Sequence, residues 1–272
     1  MSASNATART SFQTGGQILV ATRSTHSSQR GSSAGAERSA GSILTDYQTT
    51  AQGFRAVRAV ELAGPAGQLE AVLNEGSTSA RFAALVCHPH PLGGGNLHNK
   101  VVYHAMKVLN APEWGMGCPV LRFNFRGTSL SEGAHHGEAE SGDVLAGMAW
   151  LEREFHLPLI VAGFSFGAAM ALQACSSGKA QHDVRAVIAL GLPTVASGHN
   201  YSYDFLRNLA LPKLFLSGDH DAFAPAEQLA EVFASAAEPK RLIFVPGADH
   251  FFTNQLEPMQ RAFVGWLKEQ LP

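Results

Sequence analysis

Apolar positions along this chain fall into two regimes. Residues 1 to about 50 carry no periodic apolar pattern and are rich in Ser, Thr, Ala, Gly and Gln. Such a stretch cannot bury enough surface to offset its ordering entropy, so it reads as a disordered tail. From Phe54 the pattern becomes regular. Val57, Ala59 and Leu62, then Leu69, Ala71 and Leu73, predict two antiparallel strands joined through Gly64-Pro65-Ala66-Gly67. The run from Phe82 to Cys87 is continuously apolar, as a strand buried on both faces is. Further short apolar runs lie at Val120–Asn124, Leu159–Ala162, Val187–Leu190, Lys213–Leu216 and Leu242–Val245.

Helical segments fall between these runs. They are predicted over Asn99 to about Leu109, Glu140 to Glu154, the stretch after Ser165, Pro225 to Ala236, and Glu257 to Gln270. Proline suits a first helical position, where its missing N–H would be unpaired anyway. The last segment puts Met259, Phe263 and Leu267 on one face. Apolar strands alternating with helices imply parallel βαβ units. The expectation is an α/β fold over residues 51–272, with a mostly parallel central sheet and helices on both faces. Ligands in such sheets bind beyond the carboxyl ends of the strands. The loops after Cys87, Asn124, Ala162, Leu190, Leu216 and Val245 therefore carry the functional weight.

Composition narrows the classes. A net charge of −2 offers no basic surface for nucleic acid. No apolar run approaches the length of a membrane span. Three widely spaced cysteines, Cys87, Cys118 and Cys175, argue against a disulfide framework and fit a reducing compartment such as the cytoplasm. Arg9, Arg23 and Arg30 precede the first acidic residue, Glu37, a composition that also resembles an organellar transit peptide; the unstructured extension is the preferred reading.

The chemistry centres on Gly163-Phe164-Ser165-Phe166-Gly167, which fits the Gly-x-Ser-x-Gly nucleophile elbow. A serine on a tight strand-to-helix turn needs glycines beside it for steric reasons. Ser165 needs a base to take its proton, and His250, in the loop after the last strand, is the candidate. A carboxylate must orient that imidazole. Asp221 is preferred, Asp219 is the alternative, and Asp249 adjoins His250 too closely in sequence. The chain order Ser, Asp, His is the one expected for this elbow. An oxyanion would take one N–H from Phe166 and a second from the loop after Cys87. Pro89 and Pro91 have no N–H to give, which leaves His90 or Leu92, and His90 is preferred. His88, His90 and His98, with Asp219, His220 and Asp221, could instead ligate a metal, yet neither a His-Glu-x-x-His helix nor a paired-cysteine motif is present. No metal and no cofactor is expected.

These residues resemble the α/β-hydrolase superfamily, and within it the small bacterial serine hydrolases of the dienelactone hydrolase-like and CocE/NonD-like group. The likeness rests on His88-Pro89 with the following glycine turn and Asn99-Lys100-Val101-Val102, on Arg122 to Gly127, on Ser131-Glu132-Gly133, on the elbow, and on Asp249-His250-Phe251-Phe252. Two positions depart from it. Thr128-Ser129 stands where the group has Val-Gly, and a serine stands where true dienelactone hydrolases have a cysteine. The resemblance implies the fold and the triad of Ser165, Asp221 and His250 but not the substrate; the leading reading is cleavage of small-to-medium carboxylic esters through an acyl-enzyme, the size following from the short span between Gly191 and Leu211. A peptidase or amidase on the same triad is the alternative, followed by a non-catalytic binding protein of the same fold. Leu92, Phe164 and Phe251 are the candidate substrate contacts. Gly191 to Leu211 is long enough for only a minimal cap, and its Tyr201, Tyr203 and Phe205 are placed to touch substrate. Arg126 is expected to tie Glu140 or Asp143 to its loop.

Overall fold

The computed structural model describes residues 56–177, 182–195 and 201–271; the expected tail, residues 1–50, lies outside them. A hairpin opens the described chain: β1 (Val57–Gly64) and β2 (Gly67–Asn74) pair antiparallel, turning through Pro65 and Ala66. The strands β3 (Ala83–Cys87), β4 (Val120–Phe123), β5 (Leu159–Phe164), β6 (Val184–Leu190), β7 (Lys213–Gly218) and β8 (Lys240–Val245) follow. Between them run the helices α1 (Lys100–Asn110), α2 (Ser141–Phe155), α3 (Phe166–Ser176), α4 (Ala226–Ser235) and α5 (Leu256–Gln270).

The strands form one sheet in the order β1-β2-β4-β3-β5-β6-β7-β8. Only the β1/β2 and β2/β4 pairs are antiparallel. Alternation along the buried strands separates two cores. Leu85, Cys87, Leu121, Val161 and Ala189 face one side, where α2, α3 and α4 pack. Ala84, Val86, Ile160, Ala162 and Ile188 face the other, covered by α1 and α5. All the residues of β3, β4, β5 and β7 are buried, which explains their unbroken apolar runs. β1 lies at the edge of the sheet and alternates exposed with buried.

This topology decides where a ligand goes. From β3 the chain moves out to β4, then returns across β3 to β5 and continues the other way. The reversal lies between β3 and β5, and the crevice beyond their carboxyl ends is the expected binding place. Ser165 and the His88–Gly95 loop both occupy it.

Three local features differ from the sequence reading. Pro225 is the N-cap of α4 rather than its first residue, with ψ 134°. The loop after β3, expected to lack regular structure, holds one 3-10 turn at Pro91–Gly93, started by the proline and ended by Gly94 at φ 79°. Ser129, at the position where the resembling group has glycine, has φ 52°, a left-handed backbone carried here by a serine.

Candidate active site

β5 ends at Phe164 and α3 starts at Phe166, so the reversal falls on Ser165 alone. Its backbone sits at φ 54°, ψ −121°, well outside the regions a serine prefers. The strain is held by neighbours: Ser165 donates its N–H to Leu190 O at 2.8 Å, and its carbonyl accepts from Ala168 N at 2.8 Å. The flanking glycines are steric requirements. A methyl group at Gly163 would overlap the Gly167 carbonyl, and one at Gly167 would overlap the carbonyls of Cys87 and His88.

Three loops converge on this serine. His250 Nε2 lies 3.0 Å from Ser165 Oγ, and His250 Nδ1 lies 2.8 Å and 2.9 Å from the two oxygens of Asp221. All three residues are buried, leaving Ser165 9% exposed. A carboxylate only accepts, so Nδ1 carries the proton toward Asp221 and Nε2 is left to accept the serine hydroxyl. Asp221 is itself fixed, accepting from Ser217 Oγ at 3.0 Å and from the N–H groups of Phe223 and Ala224 at 2.8 Å and 3.0 Å. Asp219 instead accepts from Gly247 N at 2.7 Å, and Asp249 accepts from Phe251 N and Thr253 N. Of the two carboxylates weighed from sequence, Asp221 is the one within hydrogen-bond reach of His250.

Aromatic rings surround the imidazole. Phe164, Phe223 and Phe251 have centroids 5.0, 4.6 and 5.2 Å from that of His250. Of the candidate substrate contacts, Phe164 is fully buried, so it backs the imidazole and presents no surface to a ligand. Phe251 is 43% exposed and Leu92 is 82% exposed, both at the rim. Sequence reasoning missed Phe223, whose only signal was its place two residues after Asp221. It also missed Gly191, whose φ of 52° lets the chain pass His250 with no side chain between them.

On the other side of Ser165 lies the α3 N-terminus, where the Phe166 N–H belongs to the first turn and lacks an intrahelical acceptor. The facing loop is pinned by His88. Its Nε2 accepts from Phe125 N at 2.9 Å, so the proton sits on Nδ1, which donates to Pro89 O at 2.6 Å. Full burial pushes the His88 pKa down to about 4, and the ring is neutral. His90 Nδ1 accepts the Leu92 N–H at 3.2 Å, so the rival donor in this loop is already engaged. The His90 ring packs 5.1 Å from that of Phe166, and His135 packs on both, at 4.7 Å from His90 and 5.4 Å from Phe166. His135 Nδ1 in turn lies 2.8 Å from Glu140 Oε1. Glu140 is buried, which raises its pKa, yet N–H groups of His136, Gly137 and Glu140 and the nearby His135 hold it below the usual carboxylate range. Beneath them Arg126 forks onto Asp143, with Nη2 to Oδ1 at 2.6 Å and Nε to Oδ2 at 3.0 Å. That is the tie expected for Arg126, with Asp143 rather than Glu140 as its partner.

Three of the six candidate metal ligands have other employment. His88 uses both ring nitrogens, and Asp219 and Asp221 are committed to Gly247 and His250. Clefts lined by Arg81, Gly115 and Met116 sit beside the starts of β3 and β4, at the opposite end of the sheet. Among the described residues no helix is long and apolar enough to cross a membrane.

Comparison with known proteins agrees with this architecture. A lidless α/β serine hydrolase from Xanthomonas campestris, XC6422, superposes with a TM-score of 0.67 at 28% identity, covering 79% of this chain and 95% of that one. An α/β serine hydrolase homologue from Coxiella burnetii superposes with a TM-score of 0.67 at 30% identity, covering 81% of this chain and 99% of that one. Protein RP471 of Rickettsia prowazekii is 32% identical over 212 residues, 75% of this chain and 86% of its own length. The esterase Pf2001 of Pyrococcus furiosus shares the fold at 17% identity, with a TM-score of 0.68 and coverage of 84% and 96%. The model of the alpha/beta hydrolase domain matches residues 85–261, a span that takes in the elbow, the acidic loop and the last histidine, and the chain belongs to that family.

Proposed function

We propose that this protein is a serine hydrolase that cleaves small-to-medium carboxylic esters through an acyl-enzyme. The observation that carries this reading is the line from Ser165 Oγ to His250 Nε2 at 3.0 Å and from His250 Nδ1 to Asp221 at 2.8 Å. Ser165 Oγ attacks the ester carbonyl while His250 Nε2 takes its proton. Asp221 holds the imidazole tautomer and stabilises the imidazolium. The oxyanion of the tetrahedral intermediate accepts the N–H groups of Phe166 and His90. Collapse breaks the bond to the alcohol, which leaves with the proton from His250. Water, deprotonated by the same imidazole, then releases the acid and regenerates Ser165.

The named relatives support the class, since two solved structures at 28% and 30% identity are described as α/β serine hydrolases. Among the described residues Cys87, Cys118 and Cys175 form no disulfide, in keeping with a cytoplasmic setting, and the substrate is a small molecule. The test is labelling by a fluorophosphonate probe with hydrolysis of p-nitrophenyl esters from acetyl to decanoyl, comparing wild type with Ser165→Ala. Labelling and turnover that both vanish in the variant support the reading. A folded wild type that neither labels nor turns over refutes it. Matched ester and amide substrates then separate esterase from amidase.

A further inference from the structure

The face of α3 that carries Phe166 continues beyond the site. Phe166, Ala169, Met170 and Gln173 follow the i, i+3, i+4, i+7 spacing of one helical stripe. One turn on from Phe166, the stripe residues Ala169, Met170 and Gln173 floor an open cavity of about 330 Å³. One wall is Gly137 and Glu138, two and three residues on from His135, which packs on Phe166. The other wall is Tyr201, Ser202, Tyr203 and Phe205. Nothing in the chemistry described above uses this cavity.

We propose, on the strength of the esterase reading, that this groove holds the acyl half of the substrate and that the preferred acyl group ends in an aromatic ring. Direction comes from the proton. The alcohol must leave beside His250 Nε2, and the carbonyl oxygen must point at the Phe166 N–H. His250 is hemmed in by Phe164, Phe223 and Phe251, so the acyl substituent departs along α3. Reach comes from helix geometry. Ala169 and Gln173 stand four and eight residues beyond Ser165, about 6 and 12 Å along the axis at 1.5 Å per residue. A short linker and a ring fit that span.

The ring preference comes from the wall. Tyr203 is buried and anchored, its hydroxyl donating to Pro193 O at 2.6 Å. Tyr201 lies parallel to it, 6.0 Å away with planes 1° apart. Phe205 meets Tyr203 edge-on at 6.2 Å. Half-buried Tyr201 and Phe205 thus offer rigid aromatic surface, against which an offset or edge-on ring gains more than an aliphatic chain. Met170 opposite supplies a polarisable floor.

The test compares kcat/KM for p-nitrophenyl 3-phenylpropanoate and p-nitrophenyl acetate in wild type, Gln173→Trp and Ser202→Trp, two substitutions that fill the groove from opposite sides. The ratio of the aryl to the acetyl ester is expected to fall roughly tenfold or more in both variants, the scale of lost hydrophobic pocket contacts. An unaltered ratio in both would overturn the proposal. A second readout needs no turnover: saturation-transfer NMR of 3-phenylpropanoate with Ser165→Ala protein, then with Ser165→Ala/Ser202→Trp. Transfer lost on filling the groove supports the site, and transfer that persists overturns it. Failure of both esters in wild type would sink the esterase reading separately, leaving the groove to be judged by this binding alone.

Discussion

Gly191 and His250 touch without a side chain between them: a methyl group at Gly191 would lie 3.2 Å from His250 Cε1 and 3.3 Å from its Nδ1. The same methyl would stand 3.2 Å from the Phe164 ring that backs the imidazole. Gly191→Ala therefore has two consequences. A φ of 52° is adverse for any L-residue, costing about 1–2 kcal/mol. The imidazole or the Phe164 ring must also give by a few tenths of an ångström, a fraction of the 1 Å misplacement that costs about 10²-fold in rate. Melting and ester kinetics on the same sample should show a small loss of stability together with a severalfold loss of kcat. Unchanged kcat would mean that His250 is free to relax in place.

Asp221 and Asp219 stand two residues apart with different partners, and that difference is measurable. Asp221→Asn presents an amide to His250 Nδ1 and favours the wrong tautomer, for a loss of about 10⁴ in kcat. Asp219→Asn removes a carboxylate whose partner is the Gly247 N–H, so it should lower stability modestly and leave kcat within a fewfold of wild type. Equal losses in the two variants would show that the choice of Asp221 is mistaken.

The elbow, the acidic loop and the last histidine could be read from sequence because each is a short local motif placed by chain order. Strand boundaries fell within two residues for the same reason, since buried strands are continuous apolar runs, except that β6 begins at Val184, three residues ahead of the apolar run at Val187–Leu190. Sheet order could not be read. Nothing local says that β2 pairs antiparallel with β4, or that β3 and β5 meet at the reversal. The role of His88 depends on Phe125, 37 residues away, and that of His135 on Glu140 and Phe166. Phe164 looked like a substrate contact because it flanks Ser165, yet alternation along β5 sends its ring under the imidazole instead.

The buried Arg126–Asp143 pair offers a test of what holds the loop after β4. Both side chains are nearly inaccessible, at 8% and 0%, and the Arg126 main-chain N–H also donates to Asp143 Oδ2 at 3.1 Å. Removing one partner strands a buried charge, at about 3–5 kcal/mol. Arg126→Met and Asp143→Leu should each lose that much in urea unfolding. The double variant should lose less than their combined effects, because neither charge is left behind. Strict additivity would mean that the two groups are not coupled.

His88 makes stability depend on pH in a window that can be stated in advance. Burial lowers its pKa in the folded protein to about 4, from 6.5 for the free side chain. Between those values the unfolded chain binds a proton that the folded protein refuses. Stability from this group is complete above about pH 6.5 and is lost as pH falls toward 4. At 1.36 kcal/mol per pKa unit the whole effect is about 3 kcal/mol. His88→Gln is the informative variant, since its amide can still donate to Pro89 O and accept from Phe125 N but does not titrate. Denaturant unfolding of wild type and variant from pH 7 to 4.5 gives a difference curve in which every other carboxylate and histidine cancels. That curve should slope across the window, with wild type losing stability faster as the pH falls. A flat difference would show that the folded protein protonates His88 as readily as the unfolded chain, and that the ring is not the neutral prop on which the loop facing Ser165 rests.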